Sequence, residues 1–220
     1  MKIVIQCAAS KVRDAGLLTD AGGTPVLFVA NPRLAPHSET CIYARPDDPA
    51  GNGLTWRDLL VNYNASGENP SGLLPAYRLY RHEVYRQLVD RYGVGNVFIL
   101  SAGWGLIRAD FLTPKYDITF STSADKHKRR SKRDRYNDFC MLPDDGDEDI
   151  VFFGGKDYLP FFYNLTWQYR GRRFIYYNSG SPPELPGCTL IRYQTTTRTN
   201  WHYGCVKDFI DGKISCCSET

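Results

Sequence analysis

Lys11, Asp117 and Lys156 are the side chains whose types and settings fit acid–base or electrostatic chemistry. Asp117 closes the stretch Thr113-Pro114-Lys115-Tyr116-Asp117, which sets a carboxylate beside an aromatic ring. A carboxylate in a partly apolar pocket stabilises a developing oxocarbenium ion or activates a water. The same spacing also suits a surface aspartate that caps a turn. Lys11 and Lys156 each follow a short apolar run, where an ammonium group would offset charge on a departing group.

Polar residues recur at equivalent places along the chain. Gln6 and Ser10 sit beside Lys11, Ser101 and Trp104 follow a second apolar run, Asp157 follows Lys156 after a third, and Asn178 and Ser179 follow a fourth. Such residues would read the edge of a ligand, while Trp104 and Tyr116 would stack on its ring. The run Gly154-Gly155-Lys156-Asp157 lacks the GxxxxGK[ST] spacing of a P-loop, and no GxGxxG accompanies it. Two glycines there suit either a cradle for one phosphate or a plain turn into a helix capped by Asp157.

The segment 126–135 holds seven Lys and Arg against one Asp, about +6, whereas the whole chain carries only +3. Lys128, Arg129, Arg130, Lys132, Arg133 and Arg135 are thus candidates for nucleic-acid phosphates, by counterion release that weakens with salt. The alternative is a self-neutralised loop, paired with the acidic residues of 144–149. Fifteen Tyr, 11 Phe and 4 Trp supply either an aromatic core or rings for stacking on single-stranded or flipped bases.

These groups need elements to hold them. Lys2–Cys7, Asn96–Ser101, Asp149–Phe153, Arg173–Tyr177 and Thr189–Tyr193 read as short strands, the first two as buried apolar runs. Helices are expected over Leu54–Asn62, with Thr55 as N-cap, over Pro75–Tyr92, stopped by Gly93, from Asp157 to about Arg170, and over Asn200–Asp211. Pro25–Ala30 and Thr40–Ala44 suit a hairpin or an edge strand. Strands alternating with helices imply a mainly parallel sheet, and ligands then bind beyond the carboxyl ends of its strands. The whole of 1–220 reads as a single α/β domain with a basic loop or insertion at about 108–148.

Length and composition fit a globular protein: 220 residues, 42% hydrophobic and 23% charged. The seven cysteines form no CxxC and the four histidines are scattered, so neither a metal site nor a cofactor is called for. An odd cysteine count, an apolar start too short for a secretory signal and a tail at Cys217 without a prenylation box set the expectation of a cytoplasmic protein with reduced thiols and no membrane span.

The stretch Ile5-Gln6-Cys7-Ala8-Ala9-Ser10-Lys11 resembles the "PCS.xK" opening of a group of uracil-DNA-glycosylase-like domains. Leu100-Ser101-Ala102-Gly103-Trp104-Gly105-Leu106-Ile107, followed by Lys115-Tyr116-Asp117, resembles that group's "LSAxYGLI…PYD" signature. The group includes the YaaA peroxide-stress proteins and the core domain of archaeosine synthase. Gln6 and Ala8 depart from its usual Pro and Ser, Trp104 from its usual Tyr, and the Gly-Gln-Asp-Pro-Tyr and His-Pro-Ser motifs of uracil-DNA glycosylase are missing. The resemblance implies a three-layer α/β/α sandwich that takes a nucleobase into a strand-end pocket. It implies a DNA glycosylase for a modified base, such as a virus-modified glucosylated hydroxymethylcytosine. The alternatives are a non-catalytic DNA-binding stress protein and a nucleobase-modifying transferase.

Overall fold

The computed structural model describes residues 1–131 and 133–216, so that Lys132 and the tail from Cys217 lie outside the described residues. Seven strands form the main sheet: β1 (Lys2–Gln6), β2 (Val97–Ser101), β3 (Gly105–Arg108), β4 (Phe139–Cys140), β5 (Ile150–Phe153), β6 (Arg173–Tyr177) and β7 (Cys188–Arg192). Their order is β4-β3-β2-β1-β5-β6-β7. The five strands from β2 to β7 in that order pair parallel. β3 turns back antiparallel to β2, and β4 follows β3 in parallel. β2 and β5 are buried along their whole length, as are Ile3 to Ile5 of β1. Their unbroken apolar runs follow from cover on both faces.

Register puts Gln6 level with Leu100, and Ile5 level with both Ile99 and Phe153, which in turn faces Tyr176. The parallel strands therefore finish nearly in line. From β1 the chain crosses to β2 on one side, then later returns to β5 on the other. The loops after β1 and β5 thus part company at a topological switch point, where such sheets leave a crevice.

Five α-helices are present among the described residues: α1 (Trp56–Ala65), α2 (Ala76–Leu79), α3 (Val84–Tyr92), α4 (Leu159–Thr166) and α5 (Trp201–Ile210). α1 starts where the sequence places it. The Thr55 hydroxyl accepts from the Asp58 N–H, and the Asp58 carboxylate accepts from the Thr55 N–H, which closes a capping box. α4 departs from expectation at both ends. Tyr158, not Asp157, holds its N-cap position, and the helix stops at Thr166, whose carbonyl accepts from Arg173 Nη1 at 3.0 Å.

The expected helix over Pro75–Tyr92 is broken. Leu74 and Pro75 pair with Leu112 and Thr113 instead, and Tyr80 is extended between α2 and α3. The cause lies outside the segment. Leu79 accepts from the Val12 N–H at 2.8 Å, Arg81 donates to the Ser10 carbonyl at 3.2 Å, and Tyr80 bridges Lys11. The Tyr80 ring is fully buried with its hydroxyl 2.9 Å from that of Tyr116. Bonds to the loop after β1 replace the helical ones. The stop at Gly93 stands, at φ 82°.

Pro25–Val29 and Ile42–Ala44 pair in parallel, not as a hairpin, within a second small sheet that also takes Leu18–Thr19 and Tyr116–Asp117. One continuous apolar core draws on both sheets. The 108–148 stretch is tied down along its length, by Leu112–Thr113, by Tyr116–Asp117, by β4 and by Arg130 among others. Arg130 is 4% exposed and stacks on the Tyr136 ring at 3.9 Å. It donates to both Asp138 carboxylate oxygens, at 2.9 and 2.5 Å, and to the Ala102 carbonyl at 2.8 Å. Arg57, also buried, donates to the Gly103 and Trp104 carbonyls. Two arginines thus pin the turn between β2 and β3.

The acidic segment does not pair with the described basic residues in the way the self-neutralised loop required. Glu148 holds the amino terminus and Lys2, and Asp149 holds Arg172. No helix among the described residues is long and apolar enough to cross a membrane.

Candidate functional site

A cleft of about 1010 Å³ opens at the switch point, floored by the ends of β1, β5 and β6. That size lies at the upper end of the roughly 300–1,000 Å³ usual for small-molecule sites. Of the residues singled out in the sequence, Gln6, Ser10, Lys156, Asp157, Asn178 and Ser179 line it. The three loops after β1, β5 and β6 therefore converge. The loop after β2 does not join them in the lining.

Each contributor is fixed by local bonds. The Gln6 side-chain oxygen accepts from the Gly155 N–H at 2.6 Å, which ties the β1 loop to the β5 loop. That N–H is consequently engaged within the protein. Gly154 is required by packing: a Cβ there would meet the Phe152 ring at 2.3 Å. Gly154 therefore serves a close approach to the Phe152 ring, whereas a Cβ at Gly155 would meet only ordinary contact with Gln6 at 3.5 Å. Ser179 donates to the Ser181 carbonyl at 2.6 Å, and Lys156 is exposed at the rim.

The remaining singled-out residues lie behind or beside this wall. Ser101 is fully buried, donates to the Tyr116 hydroxyl at 2.8 Å and accepts from the Gly103 and Trp104 N–H groups. Trp104 is fully buried edge-on to Phe28 at 5.0 Å, and Tyr116 is 1% exposed. Stacking on a ligand ring, expected of both, has no open face to act through in this arrangement. Burial pushes the phenols of Tyr80, Tyr116 and Tyr158 well above their ordinary range, so this network stays protonated.

Lys11 sits outside the lining, half-buried, with its amine 4.0 Å from the Tyr116 ring centroid and 3.2 Å from the Ala8 carbonyl. Burial lowers its pKa, and Cys7 and Asp117 partly offset that. Asp117 also lies outside the lining. It pairs with Lys128 at 3.0 Å, and Lys128 pairs again with Asp125. Among the described basic residues, Arg129, Arg130, Arg133 and Arg135 do not line the cleft either. Arg130 is part of the core, and Lys132 lies outside the described residues.

The cleft's other wall escaped the sequence reading. Arg81 and His82 reach it from the break between α2 and α3, Tyr158 from the turn before α4, and Arg198, His202 and Tyr203 from the start of α5. The His82 ring stacks on Tyr203 with centroids 3.9 Å apart, and Glu83 pairs with Lys207 at 2.6 Å. The helix break is thereby locked onto α5. The available signal was the polar run before Trp201, but nothing local marked Arg81 or His82, which sit within an apparently helical pattern. Among the described residues no group of three or more His, Cys, Asp and Glu side chains is placed to hold a metal ion.

His202 is 2% exposed, and its Nε2 has no hydrogen-bond partner among the described residues. Burial, with a smaller push from His82, lowers its pKa from 6.5 to about 4. The unfolded chain therefore takes up this proton at higher pH than the folded one, and stability is lost as pH falls from 6.5 toward 4. Between pH 7 and pH 5 the loss is about 2 kcal/mol. Urea unfolding at the two pH values is expected to show that difference in the native chain and most of it removed in His202→Gln. An equal loss in the variant would mean that charging of this imidazole does not govern the effect.

Compared with protein-family profiles, curated proteins and solved structures, the chain gives no match.

Proposed function

We propose that this protein is a DNA glycosylase, receiving one modified nucleotide in the strand-end cleft and hydrolysing its N-glycosidic bond. The observation that carries the reading is the make-up of that single cleft. It joins aromatic surface from Tyr158, Tyr177 and the His82–Tyr203 stack to cations at Arg81, Lys156 and Arg198 and a carboxylate at Asp157. Rings that stack on a base, beside charges that meet its phosphate, are what an extruded nucleotide requires. The volume leaves room for a base with a bulky substituent.

In this reading Asp157 stabilises the sugar cation or positions the attacking water, as one wall carboxylate can. Lys156 offsets charge on the departing base. Gln6 and Asn178 face its edge. Lys126, Arg129, Arg133 and Arg135 have no ion-pair partner among the described residues and supply salt-sensitive attraction for the DNA backbone.

In finer terms we read the fold as the three-layer α/β/α sandwich of the uracil-DNA-glycosylase-like group. The meeting of its two sequence motifs supports this. Cys7 donates its N–H to the Leu100 carbonyl, the Ala102 N–H reaches the Cys7 sulfur at 3.4 Å, and Lys11 lies over Tyr116. Residues far apart in the chain thus share one contact region.

The test is incubation with duplex and single-stranded DNA carrying a broad panel of modified bases, glucosylated hydroxymethylcytosine among them, followed by detection of abasic sites. Abasic sites at one modified base and none in unmodified DNA are expected. DNA binding without abasic sites anywhere in the panel would overturn the glycosylase and favour a binding-only role.

A further inference from the structure

The α5 end of the cleft has features that the base-release reading leaves unused. Asn200 occupies the N-cap position in a left-handed conformation (φ 58°, ψ 19°), and its side chain makes no capping bond. The first-turn N–H groups of a helix carry its positive end; here that of Tyr203 donates to the Asn200 carbonyl at 3.0 Å, which leaves those of Trp201 and His202 in this turn. Thr199, Asn200, Trp201, His202 and Tyr203 all line the cleft, so this end of α5 faces it. His202, at the same end and nearly fully buried, has an Nε2 that no described residue satisfies. Buried polar atoms are rarely left so, and a ligand is one way to satisfy them.

Two cations flank the same turn. Arg198 precedes Trp201 by three residues, and Arg81 is adjacent to His82, whose ring lies on Tyr203 of the first turn. Neither arginine has an ion-pair partner among the described residues. Among the described residues that line the cleft, Arg81, Lys156 and Arg198 stand against Asp157, a formal +2 with both histidines neutral. A phosphate monoester carries about −1.5 to −2 at neutral pH, whereas a single phosphodiester carries −1.

We propose that the N-terminal end of α5, with Arg81 and Arg198, is a subsite for a terminal phosphate, so that the cleft takes a free nucleoside 5′-monophosphate as well as a nucleotide within DNA. The inference rests on the nucleotide-cleft reading above and names the substrate form that it favours. Phosphate on a mononucleotide and phosphate within a strand share one chemistry, and the arms of the test separate them.

The experiment is calorimetric titration of the full chain with the four 2′-deoxynucleosides, their 5′-monophosphates, inorganic phosphate, and an oligonucleotide lacking terminal phosphates. At least one monophosphate is expected to bind tenfold or more tightly than its nucleoside, with inorganic phosphate competing. Arg198→Gln, on an exposed segment clear of the core, is expected to lose most of that advantage, and R81Q/R198Q all of it. The subsite is overturned if no monophosphate outbinds its nucleoside, if the advantage survives R81Q/R198Q, or if only the oligonucleotide binds. Abasic sites in modified DNA without any monophosphate preference would sink the subsite and leave the glycosylase standing. A monophosphate preference without base release anywhere would do the reverse.

Discussion

Asp157→Asn is expected to lower the rate of base release by roughly 10²–10⁴-fold, the range for loss of a positioned acid or base. Asp157 is half-buried in the cleft wall, in the turn between β5 and α4. The amide keeps the shape of the carboxylate but has no charge to set against a sugar cation. Asp117→Asn is the matched comparison, because Asp117 is the other carboxylate that the sequence offers. Its side chain is 35% exposed, outside the cleft, and paired with Lys128. Such exposed pairs contribute about 0–1 kcal/mol, so this variant is expected to keep its rate of base release. Single-turnover assays on one modified oligonucleotide would measure both. A large loss in Asp117→Asn with none in Asp157→Asn would move the reacting centre to the Lys11 side of the wall.

Arg130→Ala is expected to destabilise the fold by about 3–5 kcal/mol, because it leaves the Asp138 carboxylate buried without its partner. Asp138 and Arg130 have side chains 9% and 3% exposed, joined by two hydrogen bonds. Burial already pushes the Asp138 carboxyl up from its ordinary pKa, with Arg130 pulling it back. Removing the guanidinium takes away that restraint and the donor to the Ala102 carbonyl. For a chain of this size the melting temperature would fall by roughly 6 to 20 °C. Arg130→Met combined with Asp138→Leu is expected to recover part of the loss, since apolar replacement of both partners removes the stranded charge. Arg133→Ala, at an exposed neighbour in the same basic run, is expected to stay within about 0.5 kcal/mol of the native chain. Chemical denaturation of the four proteins decides the matter. Equal behaviour of Arg130→Ala and Arg133→Ala would show that the buried pair contributes nothing.

The two arginines are indistinguishable by sequence, and that marks a boundary. Local pattern was enough for β1, β2, β5 and β6, whose apolar runs match their burial. It was enough for the Thr55 cap and the Gly93 stop, since both depend on residues within one turn. It was also enough to place Gln6, Ser10, Lys156, Asp157, Asn178 and Ser179 at strand ends, and a parallel sheet brings strand ends together as a matter of topology.

What the sequence by itself determined, then, is the five parallel strands and the end of the sheet at which a cleft forms, while β3 and β4, inside a turn and a stretch without clear periodicity, went unread. The tertiary structure alone decided which charges reach that cleft. Tyr80 leaves the helix because Lys11 and Tyr116, 69 and 36 residues away, supply its bonds, and only then do Arg81 and His82 turn toward α5. Trp104 and Arg130 look like ligand contacts until Phe28 and Asp138 enclose them. The periodicity of a segment records its average solvent exposure. Long-range partners are fixed by contacts whose energies no single segment contains.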